Sequence, residues 1–409
     1  MTAVDTAAVI GGGIAGLVSA IALRQVGIEA TVYEAHADSA HGVGKLLLMA
    51  PNGMAALRCI DADRQVAETG PAIQRTVVEN NTGRRLGSFV DLPDLPSSRM
   101  FNRGDLYQGL AELAAERGTH VEYGKRIVSF DDGDPSGIVA HFADGTSRTA
   151  GILIGADGIR STVRTLLDGN APAPRYVGLL GFGSSVPRDG LRSTNGAIHY
   201  ALGTRAPFAY HVGDEGDPVD RTGWFAGLPF AEPLSAAEAD AVPGEVWLRR
   251  LKDLYTEDRI PALRMLDRIR GEDLVNIGRL EEMPRVPVWH RGRAVLVGDS
   301  AHAMSPSTGQ GGSLAIEGAV QLARCLRDLP TVCEAFTAYE GLRRDRVEKV
   351  VAESAVVTGA QATSSRIGRL LRDLLAPIAI RSTKSREKSL GWIHRYSIDW
   401  DARVSAVSP

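Results

Sequence analysis

The chain has 409 residues, of which 44% are hydrophobic and 23% charged, and its formal net charge at pH 7 is −3. This length exceeds one simple core, so two domains are expected, and the average composition excludes a largely disordered chain. The small negative charge gives no electrostatic reason to expect nucleic acid as a partner.

Cysteine usage and the N-terminus indicate the compartment. Cys59, Cys325 and Cys333 show neither a CxxC pair nor a zinc-type spacing with histidine, so we predict small core residues in a reducing environment. The first six residues are acidic rather than basic, unlike a signal peptide. No apolar run approaches the ~20 residues that span a bilayer. These features predict a cytoplasmic protein with no transmembrane segment and no metal.

The first forty residues predict a β-α-β unit. An apolar run over 7–10 is typical of a buried strand, a helical pattern follows it, and a second apolar strand over 28–33 ends at Glu34. Gly11-Gly12-Gly13-Ile14-Ala15-Gly16 stands between the first strand and the helix. This GxGxxG turn is suited to a pyrophosphate at a helix N-terminus, and Glu34 can accept hydrogen bonds from ribose hydroxyls. The turn does not distinguish NAD from FAD, and a glycine-rich turn without a ligand is the alternative.

The rest of the chain divides by pattern. Beyond the first unit we predict, in chain order, a helix over 51–67, strands over 73–80 and 85–90, a helix over 106–117, short strands around Val121, Ile127 and Val139, and a buried strand over 152–154. From about Pro174 to Pro287, alternating aromatic and apolar residues predict a mostly β insertion that ends in a helical stretch over 244–269. A strand over 294–297 then resumes the first pattern, and helices follow from Gly312.

Two further turns follow predicted buried strands. The first is Gly155-Ala156-Asp157-Gly158, followed by Arg160 and Arg164. In the second, Asp299 directly follows a strand and can accept from a ribityl hydroxyl. The loop from Pro306 through Gly309-Gln310-Gly311-Gly312 has few side chains, so a flat ring can lie against its backbone N–H groups. Each turn alone could be an ordinary strand-to-loop connection, but three in one chain indicate one extended dinucleotide site.

Together these motifs resemble the group A flavoprotein monooxygenases, the family of para-hydroxybenzoate hydroxylase and the tetracycline-inactivating monooxygenases. The resemblance runs from about residue 3 to 346. It implies an α/β fold in which a Rossmann-like FAD-binding domain, over 1–173 and 288–345, carries an inserted, mostly antiparallel β-sheet substrate domain over 174–287. A C-terminal helical segment over 346–409 completes the expected organisation.

The resemblance also implies roles for individual residues. In the family the glycine turn binds the FAD pyrophosphate, the acid matched by Glu34 binds the adenosine ribose, and an arginine matched by Arg103 reaches the flavin. The motif around Asp157 supports both FAD and NAD(P)H, and the loop after Asp299 contacts the ribityl chain and the isoalloxazine. The cofactor-binding residues expected on this basis are Gly11, Gly13, Ile14, Ala15, Gly16, Glu34, Ala35, Lys45, Arg103, Ile127, Asp157, Gly158, Asp299, Pro306, Gly309, Gln310, Gly311 and Gly312.

The sequence departs from the family in two places. A Gly-Ala-Gly turn is common where this chain has Gly44-Lys45-Leu46, which resembles a subgroup with a more apolar strand beside the flavin and substrate. An aspartate is common near the position of Gly318, and we expect Glu317 or the helix N-terminus to compensate.

The implied activity is that of an FAD-dependent monooxygenase. NADH or NADPH would reduce the flavin, O₂ would form a C4a-hydroperoxide, and one oxygen atom would pass to an aromatic or polycyclic small molecule, plausibly in secondary metabolism such as antibiotic biosynthesis. Hydroxylation, epoxidation and Baeyer–Villiger insertion remain open. A flavin-dependent reductase or dehydrogenase on the same fold and a non-enzymatic flavin sensor are the alternatives. The protein is expected to be a monomer or a homodimer.

Candidate substrate residues come from the middle segment and the apolar strand before it. They are Met49, Tyr200, Tyr210 and Phe225, and for the three aromatic residues ordinary sheet core is the alternative. His199 and His211 are candidate bases for a phenolic substrate. His302 is interpreted as a buried histidine beneath its motif.

Basic and aromatic residues near the C-terminus allow two interpretations. A basic amphipathic stretch over 366–395 is interpreted as a helix on its own domain, with a membrane surface as the alternative. Trp392, Tyr396 and Trp400 are expected to anchor the tail to the body of the protein. Arg160 and Arg164 could pair with phosphates or with nearby acids.

Overall fold

The structure of the protein is a computed structural model that describes residues 4–37, 46–92, 94–134, 137–214, 222–305, 309–361, 368, 371, 373–374 and 391–405. Lys45 and Pro306, both expected to contact the flavin, lie outside these residues. So does most of the basic stretch over 366–395.

Among the described residues, every strand lies before Asp299, and only helices and loops follow it. The strands are β1 (Thr6–Ile10), β2 (Glu29–Tyr33), β3 (Leu46–Met49), β4 (Arg75–Asn80), β5 (Arg85–Phe89), β6 (Arg99–Asn102), β7 (His120–Glu122), β8 (Ile127–Asp134), β9 (Gly137–Phe142), β10 (Ser147–Ala150), β11 (Ile152–Gly155), β12 (Arg175–Ser185), β13 (Ala197–Leu202), β14 (Pro207–His211), β15 (Gly223–Pro229), β16 (Val275–Glu282), β17 (His290–Arg291) and β18 (Ala294–Leu296). The helices are α1 (Ile14–Gln25), α2 (Pro51–Arg58), α3 (Asp63–Thr69), α4 (Arg103–Glu116), α5 (Thr162–Leu167), α6 (Ala236–Asp240), α7 (Gly244–Leu254), α8 (Ala262–Leu266), α9 (Asp299–His302), α10 (Gly311–Asp328) and α11 (Val332–Gln361), with a 3₁₀ turn at Gly271–Asp273 and a short helix at Trp392–His394.

A six-stranded sheet carries the predicted β-α-β unit. Its order is β17-β18-β11-β1-β2-β7, and all neighbours are parallel except β17 and β18. β1, β11 and β18 are almost wholly apolar and buried, as expected for parallel strands covered on both faces. Because these strands are parallel, their carboxyl ends share one edge, and the three predicted glycine-containing turns all leave the sheet at that edge.

A seven-stranded sheet forms the second layer. Its order is β16-β12-β15-β14-β13-β4-β5, and it is antiparallel apart from the β13–β4 pair. Five strands come from the predicted insertion, whereas β4 and β5 come from the stretch assigned to the FAD-binding domain. Helices α7 and α8 cover one face and share a buried cluster with it that includes Phe208 and Trp224. The predicted α/β fold with an inserted, mostly antiparallel sheet is confirmed.

Two small sheets complete the framework. β3 pairs with β6, and β8, β9 and β10 form an antiparallel three-stranded sheet. Within the described ranges, no helix is long and apolar enough to cross a membrane. Cys325 is buried and Cys59 is half-buried, but Cys333 is exposed, so its prediction as a core residue was wrong.

The C-terminal tail packs on the body of the protein through Trp392, Tyr396 and Trp400, which confirms the prediction that these aromatic residues anchor it. Lys349 lies 4.1 Å from the Trp392 ring, and the Arg327 guanidinium lies 5.0 Å from the Trp400 ring. The Arg346 guanidinium lies 4.0 Å from the ring of Tyr396. Such cation–π contacts hold the tail aromatics against α10 and α11.

Candidate cofactor and substrate site

The turn between β1 and α1 is built for a close backbone approach. The N–H of Gly11 donates to the carbonyl oxygen of Tyr33 at 2.8 Å, and its φ of 105° favours glycine. A Cβ added to Gly16 would lie 1.9 Å from the Gly11 oxygen. Gly13 is the N-cap of α1, which has no side-chain cap and no acidic residue in its first turn. α1 begins at Ile14. The backbone N–H groups of its first turn, which include those of Ile14 and Ala15, are therefore available to an anion such as a pyrophosphate.

Glu34 is fixed at the carboxyl end of β2. Its carboxylate accepts from the N–H of Gly12 at 2.7 Å and from the N–H of His36 at 2.8 Å. The loop after β7 binds the same segment, because the N–H of Lys125 donates to the Glu34 carbonyl oxygen. Ala35, which lies between Glu34 and His36, is half-buried. Ile127, which begins β8 just after the loop that contains Lys125, is buried. The segment has the acid and the rigidity that a ribose site needs.

Arg103 connects the glycine turn to the loop after β18. It begins α4, its Nη2 donates to the Tyr107 hydroxyl at 2.9 Å, and that hydroxyl lies 3.4 Å from a Cβ added to Gly13. Burial alone would lower the pKa of Arg103, but Tyr107 and Asp299 raise it above its ordinary value.

Asp299 begins α9, directly after the turn that follows β18, and its charge acts on Arg103. Its surface is solvent-exposed, although protein atoms crowd its carboxyl group. Burial raises the pKa of its carboxyl, and the charge of Arg103 opposes that rise. The two predicted flavin residues are thus electrostatically coupled.

Replacing Tyr107 with phenylalanine is expected to weaken FAD binding about fivefold, because Arg103 loses one hydrogen bond worth about 1 kcal/mol. Titration of the apoprotein with FAD measures the effect. Tyr176→Phe is the matched control, since its hydroxyl donates to the Phe230 carbonyl oxygen at 2.9 Å in the seven-stranded sheet. Equal FAD affinities for the two variants would refute the positioning role of Tyr107.

Asp157 organises the turn after β11. Its carboxylate accepts from the Ser161 hydroxyl and from the N–H of Val163 at 3.1 Å. It thereby supports Ser161, the N-cap of α5, whose side chain accepts from the N–H of Arg164 at 2.9 Å. Burial raises the pKa of Asp157, although these hydrogen bonds oppose the rise. Gly158 follows it, and a Cβ added there would meet no atom within 4 Å.

The two arginines of this motif have protein partners. Arg160 forms an ion pair with Glu281, one of the two outcomes foreseen for it. Arg164 is buried and donates to the carbonyl oxygens of Ser300 at 3.0 Å and Ile159 at 2.8 Å. It therefore ties the turn after β11 to the turn after β18.

The loop that ends at Gly309 and Gln310 leads into α10, whose first two residues are Gly311 and Gly312. Gln310 is the N-cap of this helix and is buried, but its side chain does not cap the helix. β3 lies beside the loop: Leu48 Cδ2 is 3.3 Å from a Cβ added to Gly309, and Leu47 Cδ2 is 3.9 Å from a Cβ added to Gly312. The loop thus presents backbone N–H groups and small residues next to an apolar strand, as the flavin interpretation requires.

His302 is buried beneath this loop, as interpreted from the sequence. Its ring lies 5.6 Å from the ring of Trp289, and neither ring nitrogen has a hydrogen-bond partner among the described residues. Burial and the charge of Arg343 lower its pKa to about 3. His302 therefore supports the motif as a neutral, packed side chain.

Tyr210 and His199 lie on the helix-covered face of the seven-stranded sheet. They are cross-strand partners, and Tyr210 joins the buried cluster that includes Phe208. His199 Nδ1 lies 2.8 Å from Glu79 Oε1, and the Tyr210 hydroxyl donates to Glu79 Oε2 at 3.0 Å. Burial, followed by the charge of Glu79, raises the pKa of Tyr210. These contacts correspond to the sheet-core alternative for Tyr210 and place His199 with it.

The opposite face of this sheet approaches β3. Strand alternation places Tyr200, His211 and Phe225 on that face. Gly223, the partner of His211 in the ladder, would bring a Cβ to 3.2 Å from Leu46 Cδ1. Met49, at the other end of β3, is fully buried and lies against Gly53 at the start of α2. The structure therefore places Tyr200, His211 and Phe225 on the face that approaches β3 and separates them from Tyr210 and His199.

Two contributors were missed in the sequence. Tyr107 supports Arg103 from one helical turn away, a spacing that could have suggested it. Asn52 lies in the first turn of α2, whose N-cap is Ala50, and its amide donates to Gln310 and Glu317. No local pattern predicts those partners. Within the described ranges, no group of three His, Cys, Asp or Glu residues could hold a metal ion.

Comparisons with known proteins agree with this geometry. Residues 3–207 and 282–354 match the family described as FAD binding domain. The chain is 31% identical to aurachin C monooxygenase/isomerase of Stigmatella aurantiaca, over 85% of this chain and 88% of that protein. It is 30% identical to 6-hydroxynicotinate 3-monooxygenase of Pseudomonas fluorescens, over 84% and 88%. Among solved structures, Klebsiella pneumoniae HpxO complexed with FAD and uric acid has a TM-score of 0.80, with 21% identity and 95% of each chain covered.

Proposed function

Because the chain belongs to the FAD-dependent monooxygenases of the FAD-binding-domain family, we propose that it transfers one oxygen atom from O₂ to an aromatic or polycyclic small molecule. NADH or NADPH supplies the electrons. Its relatives are a monooxygenase/isomerase named for aurachin C and a monooxygenase named for 6-hydroxynicotinate, which supports an aromatic substrate. A role in secondary metabolism, a cytoplasmic location and the monomeric or dimeric state stay predictions.

One observation carries the proposal of a dry oxygenation site. β3 lies against both the loop at Gly309 and the sheet at Gly223: Leu48 Cδ2 is 3.3 Å from a Cβ added to Gly309, and Leu46 Cδ1 is 3.2 Å from one added to Gly223. Leu46 and Leu48 share one face of the strand. Apolar walls exclude water from a reactive flavin, and water exclusion suppresses the loss of reducing equivalents as H₂O₂. The same walls bind a flat apolar molecule.

The residues present fit FAD. The turn from Gly11 to Gly16 and the N-terminus of α1 would bind the pyrophosphate, Glu34 the ribose, and Asp299 the ribityl chain, with Arg103 beside it. FAD bound there would accept two electrons from the nicotinamide and, once reduced, would activate O₂. The protein's own work is to hold the cofactor, orient the substrate and move a proton.

We assign the proton-moving role to His211 rather than to His199. His211 lies on the sheet face that approaches β3, and its Nδ1 lies 2.9 Å from the Ala197 carbonyl oxygen. The Thr194 hydroxyl also lies 3.2 Å from Nδ1. When Nδ1–H donates to the Ala197 oxygen, the lone pair of the neutral ring is on Nε2. His199 lies on the other face with Glu79 and Tyr210.

Replacing His211 with glutamine is expected to lower kcat at least tenfold, since a positioned acid–base group typically contributes roughly 100-fold or more. His199→Gln serves as the control, because it changes a histidine of the same sheet that lies on the face away from β3; it is expected to lower Tm and leave kcat unchanged. Steady-state oxidation of NAD(P)H with a coupled product assay measures both. Equal loss of kcat in the two variants would contradict the assignment.

The proposed function itself is tested by incubating the FAD-loaded protein with NADH or NADPH, O₂ and a panel of aromatic and polycyclic compounds. The expected result is substrate-stimulated NAD(P)H oxidation and a product that has gained one oxygen atom, labelled when ¹⁸O₂ is used. A product that forms equally well without O₂ would instead identify a flavin-dependent reductase or dehydrogenase. FAD binding without turnover across the panel would favour the sensor alternative.

A further inference from the structure

A buried charge cluster lies behind the flavin loop, and the proposed mechanism does not use it. Glu317 of α10 is fully buried, and its carboxylate accepts from Arg346 Nε and Nη2, both at 2.9 Å, and from Asn52 Nδ2 at 2.6 Å. Arg343 Nη1 lies 2.6 Å from Glu317 Oε2. Burial alone would raise the pKa of Glu317, but the two arginines and Asn52 lower it below its ordinary value. The carboxylate is therefore ionised at the centre of the cluster.

The cluster holds more positive than negative charge. Two guanidinium groups face one carboxylate, and Arg343 is as fully buried as Glu317. An excess charge in the interior is costly unless other groups solvate it. One such group lies in α10 itself, where the Leu314 carbonyl oxygen accepts from Arg343 Nη2 at 3.5 Å. Further groups come from another part of the chain.

The C-terminal segment 391–405 supplies them. Arg346 donates to the carbonyl oxygens of Trp392 at 3.1 Å and Ile393 at 2.8 Å. The ring of Tyr396 lies 4.0 Å from the Arg346 guanidinium and 5.2 Å from that of Arg343. The ring face of Tyr396 and the carbonyl oxygens of Trp392 and Ile393 thus stabilise the positive charge that Glu317 does not neutralise.

The other side of the cluster reaches the flavin loop. Asn52 Nδ2, besides its bond to Glu317, lies 3.0 Å from the Gln310 side-chain oxygen. Gln310 is the N-cap of α10 and sits between Gly309 and Gly311. A continuous series of contacts therefore runs from Tyr396 through Arg346, Glu317 and Asn52 to the loop expected to contact the isoalloxazine.

We propose that the tail is part of the cofactor site: Tyr396, acting through the Arg346–Glu317–Asn52 contacts, is a positioning residue that fixes Gln310 and the start of α10 for FAD. The inference rests on FAD binding by this family and not on the proposed oxygenation. It predicts that removing the Tyr396 ring weakens FAD binding, even though the tail does not line the pyrophosphate turn.

The test compares two tail aromatics that are each stacked on an arginine. Tyr396→Leu removes the ring over the cluster. Trp400→Leu removes the ring over Arg327, whose Nη1 donates to the Trp400 carbonyl oxygen at 2.7 Å and which does not touch Glu317. Both variants are expected to lower Tm. Only Tyr396→Leu is expected to raise the Kd for FAD, by about tenfold, the effect of weakening one hydrogen bond to a charged group.

Two further variants separate positioning from folding. Asn52→Ala leaves the tail contacts in place and is expected to raise the Kd for FAD as Tyr396→Leu does and to shift the visible absorption bands of the bound flavin. Tyr396→Phe keeps the ring over both guanidiniums but removes the hydroxyl that hydrogen-bonds to Arg343. It is therefore expected to raise the Kd for FAD less than Tyr396→Leu does. Equal Kd changes in Tyr396→Leu and Trp400→Leu, or an unchanged Kd in Asn52→Ala, would overturn the proposal. An unmodified chain that binds FAD but oxygenates nothing would refute only the proposed function.

Discussion

Substituting alanine for Gly16 is expected to raise the Kd for FAD roughly 100-fold, equivalent to about 3 kcal/mol of strain in the turn. The added Cβ would lie 1.9 Å from the carbonyl oxygen of Gly11 and 3.4 Å from Val9 Cγ1. The closest atom belongs to the backbone, so no side-chain rotation can relieve the contact. The turn must open, and opening moves the N–H groups at the start of α1 that would face the pyrophosphate. Titration of the apoprotein with FAD, followed by flavin fluorescence, measures the loss.

Gly341→Ala is the matched control. Gly341 lies in α11 and is exposed, and a Cβ added there meets no atom within 4 Å. Alanine is the better helix former, so the variant is expected to gain about 0.5–1 kcal/mol of stability with unchanged FAD affinity. If Gly16→Ala bound FAD as tightly as Gly341→Ala, the close approach at the turn would not be what the cofactor requires.

The FAD-binding half of the fold could be predicted from the sequence because its signals are local. The run over 7–10, the turn to Gly16 and the strand ending at Glu34 are contiguous, so spacing alone predicts the β-α-β unit. The turns after β11 and β18 were found in the same way. Parallel pairing then brings three segments that are far apart in the chain to one edge of the sheet.

The substrate side was less predictable, since alternation shows which residues share a face but not which face is covered. Tyr200 and Phe225 turn toward β3, whereas Tyr210 and His199 turn toward α7 and α8. Only the position of those helices decides between the faces. The sheet also takes in β4 and β5, and β4 pairs with β13, which lies more than a hundred residues later in the chain. No pattern within 75–89 signals that pairing.

The cluster behind the flavin could not be predicted at all. Asn52 and Glu317 are 265 positions apart and bond at 2.6 Å. Buried polar groups need partners, but the partner is chosen by tertiary packing. The sequence showed Glu317 only as a departure from a family pattern, with the expectation that it compensates for an aspartate. Its two arginines and the tail that solvates them appear only in the folded chain.

Acid is expected to lower the stability of the fold, because the side chain of His302 binds a proton more readily in the unfolded chain than in the folded one. The folded-state pKa of His302 is lowered to about 3 by burial and by Arg343, from an ordinary value of 6.5. A lowered histidine pKa means that the folded state favours the neutral ring. The unfolded chain takes up a proton below pH 6.5 and the folded chain does not, so stability falls as the pH falls from 6.5 toward 3. The slope is about 1.4 kcal/mol per pH unit at most, so about 2 kcal/mol is lost between pH 6.5 and 5.

Urea unfolding of the FAD-saturated protein between pH 7.5 and 5 measures this loss, and His302→Leu is expected to remove it. Neither ring nitrogen has a partner among the described residues, so leucine leaves no hydrogen-bonding group there unpaired. His120→Gln, at an exposed histidine of β7, is expected to follow the unmodified protein at every pH. Parallel pH curves for His302→Leu and the unmodified protein would show that His302 is not the titrating group. Arg343 also belongs to the cluster that binds the tail, where positive charge is already in excess. Protonating His302 would add a further positive charge beside Arg343, so the cluster that contacts the tail also keeps His302 neutral.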